Sequence, residues 1–145
     1  MSNFPKSVLF VCTGNTCRSP MAEALFRQIL KDREIDSVAC DSAGLSAFDG
    51  EAASENSIEA MSEVGIDISS HRSKTITRDL IDNTELIVCL SKGHYDVLRN
   101  FVSESRLKIL GKGISDPYGM RLSEYIRTRD EIKAALCEML EELYD

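Results

Sequence analysis

Hydrophobic and polar positions along the chain fall into alternating short blocks and longer periodic stretches. Residues 7–12 (SVLFVC) are nearly all apolar, with β-branched Val8 and Val11 among them, and they run into a glycine-containing loop. That is the pattern of a strand buried on both faces, as in a parallel sheet. Residues 38–42, 85–90 (ELIVCL) and 106–110 are three further candidate strands. Between them the period lengthens. Met21, Leu25 and Ile29 share one helical face as far as Lys31, with Ser19 as the expected N-cap and Pro20 as the expected first helical residue. Residues 54–64 predict a helix closed by Gly65, and residues 91–101 another. Near the C-terminus Ile132, Leu136, Met139, Leu140 and Leu143 line one side of a helix, and Asp130, Glu131, Glu138, Glu141 and Glu142 lie largely off it.

Strands alternating with helices predict an α/β domain with a mostly parallel sheet. No repeat, low-complexity stretch or linker divides the chain, so one domain over residues 1–145 is expected. Ligands in such folds sit at the carboxyl ends of strands. The loop after the first strand is therefore the place to look for chemistry.

Composition narrows the function classes. The 145 residues carry 17 Lys+Arg against 24 Asp+Glu, a net charge of −7. An acidic balance argues against a general nucleic-acid or anionic-membrane binder. The first residues lack signal-peptide architecture and the longest apolar runs are too short to span a bilayer, so a cytoplasmic protein is expected. Cys12, Cys17, Cys40, Cys89 and Cys137 read as thiols, since no secretory signal accompanies them. With no Cys-x-x-Cys and only His71 and His94 in the chain, a structural zinc site is not expected.

The loop itself is Cys12-Thr-Gly-Asn-Thr-Cys-Arg18-Ser19. It sets a cysteine at a strand end, and after five residues an arginine at a helix N-terminus. Gly14 and Asn15 are residue types that accept unusual backbone angles. Such a loop turns successive amides inward as a nest for a tetrahedral oxyanion, and Arg18 adds a bidentate guanidinium. The same field favours Cys12 as a thiolate nucleophile. Taken alone, Cys12 is a buried strand-end thiol. The set Cys12, Gly14, Asn15, Arg18, Ser19 and Pro20 after a buried strand is a phosphate cradle with a nucleophile at its base. The nucleotide P-loop and the dinucleotide fingerprint are both absent.

These residues carry a resemblance. VLFVCTGNTCRSPMAEAL, Asp41-Ser42-Ala43-Gly44, His71 within SSHRSK, the strand at 86–90 and Asp116-Pro117-Tyr118 resemble, in order, the low-molecular-weight protein tyrosine phosphatases. The resemblance implies a four-stranded parallel sheet flanked by helices on both faces, and a phosphatase needing no cofactor or metal. It implies that Cys12 forms a phosphocysteine intermediate. By the same resemblance Arg18 and the backbone amides of Thr13, Gly14, Asn15, Thr16, Cys17 and Arg18 are expected to bind phosphate, and Ser19 to stabilise the thiolate. Asp116 is expected to serve as general acid and then base, and Asn15, Ser42 and His71 to support the loop. Each has a plainer reading as well: Asp116-Pro117 as a turn, His71 as a surface histidine, Ser42 as an ordinary strand-end serine. Cys17 is either filler or the partner of Cys12 in a reversible disulfide. Cys40, Cys89 and Cys137 read as core thiols, and His94 receives no role.

Two departures bear on substrate. Thr16 stands where tyrosine-specific members commonly carry an aliphatic residue, and Gly119 follows Tyr118 where many carry a second aromatic. Threonine at that position marks a bacterial subgroup that removes phosphate from phosphoarginine. Phosphotyrosine, the family default, and phosphoarginine therefore stand close to level, with Phe48 and Tyr118 as pocket walls. Arsenate reduction is a remoter alternative, because the segment at 91–101 lacks the closely spaced cysteines it needs. An inactive phosphate-binding module would not require Cys12, Arg18 and Asp116 together. The expected partners are phosphorylated proteins, with the chain itself a monomer.

Overall fold

A computed structural model describes residues 4–144, with the side chain of Tyr144 left aside. The strands are β1 (Ser7–Cys12), β2 (Ala39–Gly44), β3 (Leu86–Cys89) and β4 (Leu107–Ile109); the helices are α1 (Arg18–Asp32), α2 (Glu55–Ser62), α3 (Arg78–Asp82), α4 (Lys92–Leu98) and α5 (Leu122–Tyr144). The four strands form one parallel sheet in the order β2-β1-β3-β4. Chain direction reverses its lateral progress beside β1, so the carboxyl end of β1 opens onto a topological switch point.

Strand periodicity explains the two cores. Val8, Phe10 and Cys12 of β1 face one way with Leu86 and Val88 of β3, against Met21, Leu25, Phe26 and Ile29 of α1 and Ile132, Leu136 and Met139 of α5. Leu9 and Val11 face the other way with Ile87 and Cys89, against Ile81 of α3 and Leu98 of α4. Because both faces of β1 are covered, its sequence reads as a continuous apolar run. The rings of Phe10 and Phe26 meet edge to face with centroids 5.4 Å apart, tying α1 to β1 at the centre of the larger core. As expected, Gly65 closes α2. At φ +81 it adopts the left-handed conformation that suits glycine, while Ile66 N–H reaches back to the Met61 carbonyl at 3.0 Å.

The elements differ from the sequence reading in three places. The short α3 has no counterpart in it; Thr77 caps this helix by accepting from Leu80 N–H. The last helix begins at Leu122, well before the apolar stripe at Ile132–Leu143 makes it obvious. Most consequentially, α1 starts at Arg18 behind Cys17, with no side-chain cap. Ser19 is thus inside the first turn and is not the cap. Its hydroxyl is held by Cys12 and Asn15 instead, which leaves the N-terminal end of α1 open toward the loop. Pro20 still falls in the first turn, where a missing N–H costs nothing.

Candidate active site

The loop from Cys12 to Arg18 lies at the carboxyl end of β1. Cys12 is buried, with Sγ 2.9 Å from the Ser19 hydroxyl. A thiolate cannot donate, so in that state Ser19 donates to it and stabilises the charge. Asn15 is buried at φ 58, the left-handed region that asparagine tolerates. Of the two residues whose types accept such an angle, Gly14 stays out of that region. A β-carbon on it would meet only Thr16 Oγ1, at 3.7 Å. Asn15 therefore turns the loop. Among the described residues no backbone amide from Gly14 to Cys17 donates to a protein acceptor. With the uncapped α1 terminus, these amides are free to donate to an anion.

Asn15 also locks the loop from behind. Its Nδ2 donates to Ser19 Oγ at 2.8 Å and to Ser42 Oγ at 3.0 Å, and its Oδ1 accepts from Lys74 N–H at 3.0 Å. The backbone amide of Lys74 can only donate, which fixes the orientation of the carboxamide. His71 Nε2 donates to the Asn15 carbonyl at 2.8 Å. The Ser42 hydroxyl donates a hydrogen bond to Glu23 Oε1 at 2.6 Å, and Glu23 is paired with Arg27 at 2.7 Å. Asn15, Ser42 and His71 thus converge as expected. Glu23 and Lys74 join them without having been singled out in the sequence.

Arg18 is anchored at the opposite wall. Its buried guanidinium donates from Nη1 to the Ile114 carbonyl at 3.0 Å, and Nη2 lies 3.5 Å from Asp116 Oδ2. Asp116 is half exposed and also accepts from Tyr118 N–H at 3.1 Å. It is at once a turn residue and a carboxylate aimed at the arginine. Between these groups opens a cavity of about 390 Å³, lined by the loop with Phe48, Glu51, Asp116 and Tyr118. Phe48 and Tyr118 are about three-quarters exposed, as rings at a mouth would be. Gly119 adopts φ +76, so backbone geometry favours glycine there independently of any pocket-wall requirement.

His94 is buried here too. Its Nε2 lies 2.9 Å from Thr13 Oγ1 and its Nδ1 2.8 Å from Ser91 Oγ. Burial first, and then the Arg18 charge, push its pKa down to about 4, against a smaller upward pull from Asp116. The imidazole is neutral at pH 7. Cys17 is buried with its Sγ 3.6 Å from both Ser54 Oγ and Tyr125 OH, and it shares the cavity wall with Cys12. Cys40 and Cys89 are buried thiols driven toward the protonated state by desolvation, Cys89 to about 12. Cys137 is half-buried on α5.

Residues 7–145 match the family model described as low molecular weight phosphotyrosine protein phosphatase. The chain is 41% identical over 133 residues to an arsenate reductase of Staphylococcus aureus, covering 90% of this chain and 93% of that protein. It is 34% identical over 148 residues to a protein-arginine-phosphatase of Geobacillus stearothermophilus, covering 96% and 97% of the two chains. Among solved structures, a low molecular weight protein tyrosine phosphatase from T. tengcongensis superposes with a TM-score of 0.87 at 34% identity, covering 94% of this chain and 98% of that one.

Proposed function

The chain belongs to the low molecular weight phosphotyrosine protein phosphatase family, and from that premise we propose that it removes phosphate from phosphoarginine side chains of proteins. The observation that carries this reading is the make-up of the cavity. Thr16 lies in the loop beside the nucleophile, and two carboxylates, Asp116 and Glu51, line the cavity. A guanidine is planar, cationic and rich in N–H donors, so it gains from acceptors at the rim. The protein-arginine-phosphatase relatives, aligned over nearly the whole chain, support the same substrate class.

The residues fit a two-step displacement. Cys12 thiolate attacks phosphorus while Arg18 and the loop amides hold the equatorial oxygens. As the P–N bond breaks, Asp116 gives its proton to the departing guanidine nitrogen, leaving phosphocysteine and a free arginine side chain. Asp116, now ionised, takes a proton from the attacking water. Phosphate leaves and Cys12 returns as the thiolate, with the Ser19 hydroxyl stabilising its charge. Asn15, Ser42 and His71 hold the loop in its reactive shape throughout.

Phosphotyrosine is the second reading, favoured by Tyr118 and Phe48 at the mouth, whose ring faces suit an aryl ester. Arsenate reduction, the activity in the names of the Staphylococcus aureus relatives, draws less support. Ser91 and α4 contain no cysteine, and Cys89 is sealed inside β3. Cys17 remains our candidate resolving thiol for an oxidised Cys12, because both line one cavity.

The test is kcat/KM on matched phosphoarginine and phosphotyrosine peptides for wild type and Thr16→Ile. Wild type should favour phosphoarginine, and Thr16→Ile should move the preference toward phosphotyrosine. A wild-type preference for phosphotyrosine that the substitution leaves unchanged would return the protein to the second reading.

A further inference from the structure

We propose that His94 is a positioning residue for the phosphate loop: as the Nε2–H tautomer it donates to Thr13 and turns the Thr13 hydroxyl proton toward the bound phosphoryl group. The inference rests on the phosphatase reading above and adds a side-chain donor to it.

Hydrogen-bond direction carries the argument. Ser91 caps α4 by accepting the His94 backbone N–H. Its one hydroxyl proton is then available to His94 Nδ1, 2.8 Å away. With Nδ1 accepting, a neutral ring carries its hydrogen on Nε2, and Nε2 donates to Thr13 Oγ1 at 2.9 Å. Thr13 Oγ1 is thereby an acceptor from the ring, and its own proton has no other partner among the described residues. Thr13 is exposed and lines the cavity together with Cys12 and Arg18. A phosphoryl oxygen in that cavity is the acceptor the proton lacks.

The charges around the ring support the neutral form. Arg18 on α1 opposes an imidazolium and Asp116, beyond β4, favours one; burial sides with Arg18. The 3.5 Å Arg18–Asp116 pair partly cancels both influences, which leaves desolvation to decide. An imidazolium would also turn Nδ1 into a donor, so the Ser91 oxygen would have to accept from the ring as well as from the backbone amide and its own proton would lose its acceptor. The relay therefore runs one way, from the cap of α4 through the ring to the residue that follows the nucleophile.

Nitrogen-15 NMR of the imidazole, with phosphate binding measured by calorimetry, tests this on the full chain. His94 should show the neutral Nε2–H tautomer from pH 5 to 8. Thr13→Val and His94→Phe should each weaken inorganic phosphate binding about tenfold, as expected for one hydrogen bond to a charged group. The double variant should be no worse than either single one. His94→Gln, whose amide nitrogen reaches the same position, should recover most of the loss. A charged ring, an Nδ1–H tautomer, or phosphate binding unmoved by Thr13→Val overturns the proposal. If His94→Phe does not fold, the tautomer and Thr13→Val still decide. Failure of the phosphatase reading is separately visible, as a folded wild type that turns over neither phosphopeptide.

Discussion

Gly44 lies so close beneath Thr13 that a β-carbon on it would stand 2.5 Å from the Thr13 carbonyl oxygen and 3.0 Å from Asn15 N. The last residue of β2 is thus the floor on which the Cys12–Arg18 loop rests. Leu45 and Ser46 continue the contact by donating their N–H groups to the Cys12 and Thr13 carbonyls, both at 2.9 Å. Backbone meets backbone here, so no side-chain rotation relieves the clash. Gly44→Ala should cost about 1–3 kcal/mol of stability and displace the loop. Urea unfolding and kcat/KM on 4-nitrophenyl phosphate read the two effects. A variant with wild-type values in both would show that the loop has slack.

Asn15 combines a left-handed backbone with three side-chain hydrogen bonds, and substitution separates the two contributions. Asn15→Ala removes the bonds and places alanine where it is strained. Asn15→Gly removes the same bonds without the strain. The alanine variant should lose about 2–4 kcal/mol, and the glycine variant about 1 kcal/mol less. Both should lose activity alike, because the support for Ser19 is gone in each. Equal stability of the two variants would place the role of Asn15 in its side chain alone.

The parts legible in the sequence are those written in contiguous residues. β1, the cradle and the first turn of α1 follow one another without interruption, so pattern and chemistry coincide. Gly65 and the apolar faces of α1 and α5 are equally local. What escaped depends on contacts between distant positions. His94 meets Thr13 across 81 residues, and its sequence neighbours Gly93 and Tyr95 give no hint of a partner. Glu23 reads as one more exposed helical carboxylate until β2 brings Ser42 to it. The Ser19-Pro20 pair looks like a helix cap by propensity. Tertiary structure overrides that, because Cys12 and Asn15 claim the serine hydroxyl. Gly14 and Asn15 both permit a left-handed turn, and sequence alone does not say which one makes it.

In the proposed mechanism the half-exposed Asp116, 3.5 Å from Arg18, protonates the leaving group. Asp116→Asn should therefore lower kcat by about 10²–10³-fold on a phosphopeptide. On 4-nitrophenyl phosphate, whose nitrophenolate leaves without help, the loss should shrink severalfold or more. A loss equally large on both substrates would assign Asp116 to holding Arg18 and not to proton transfer.

A buried neutral histidine leaves a signature in the pH dependence of stability. His94 titrates at about 4 in the folded chain, against an ordinary value near 6.5 when unfolded. Below about pH 6.5 the unfolded chain binds a proton that the native chain refuses, so stability falls as pH drops from 6.5 toward 4 and levels off below that. The shift is worth roughly 2–3 kcal/mol by pH 4.5. Carboxylates titrate in the same window, so the comparison with His94→Gln isolates the term. The difference in urea-unfolding free energy between wild type and His94→Gln should shift against wild type by about that amount between pH 7 and pH 4.5. A pH-independent difference would mean that His94 carries a proton in the folded protein. At low pH Arg18 would then have a second full positive charge close by, behind Thr13.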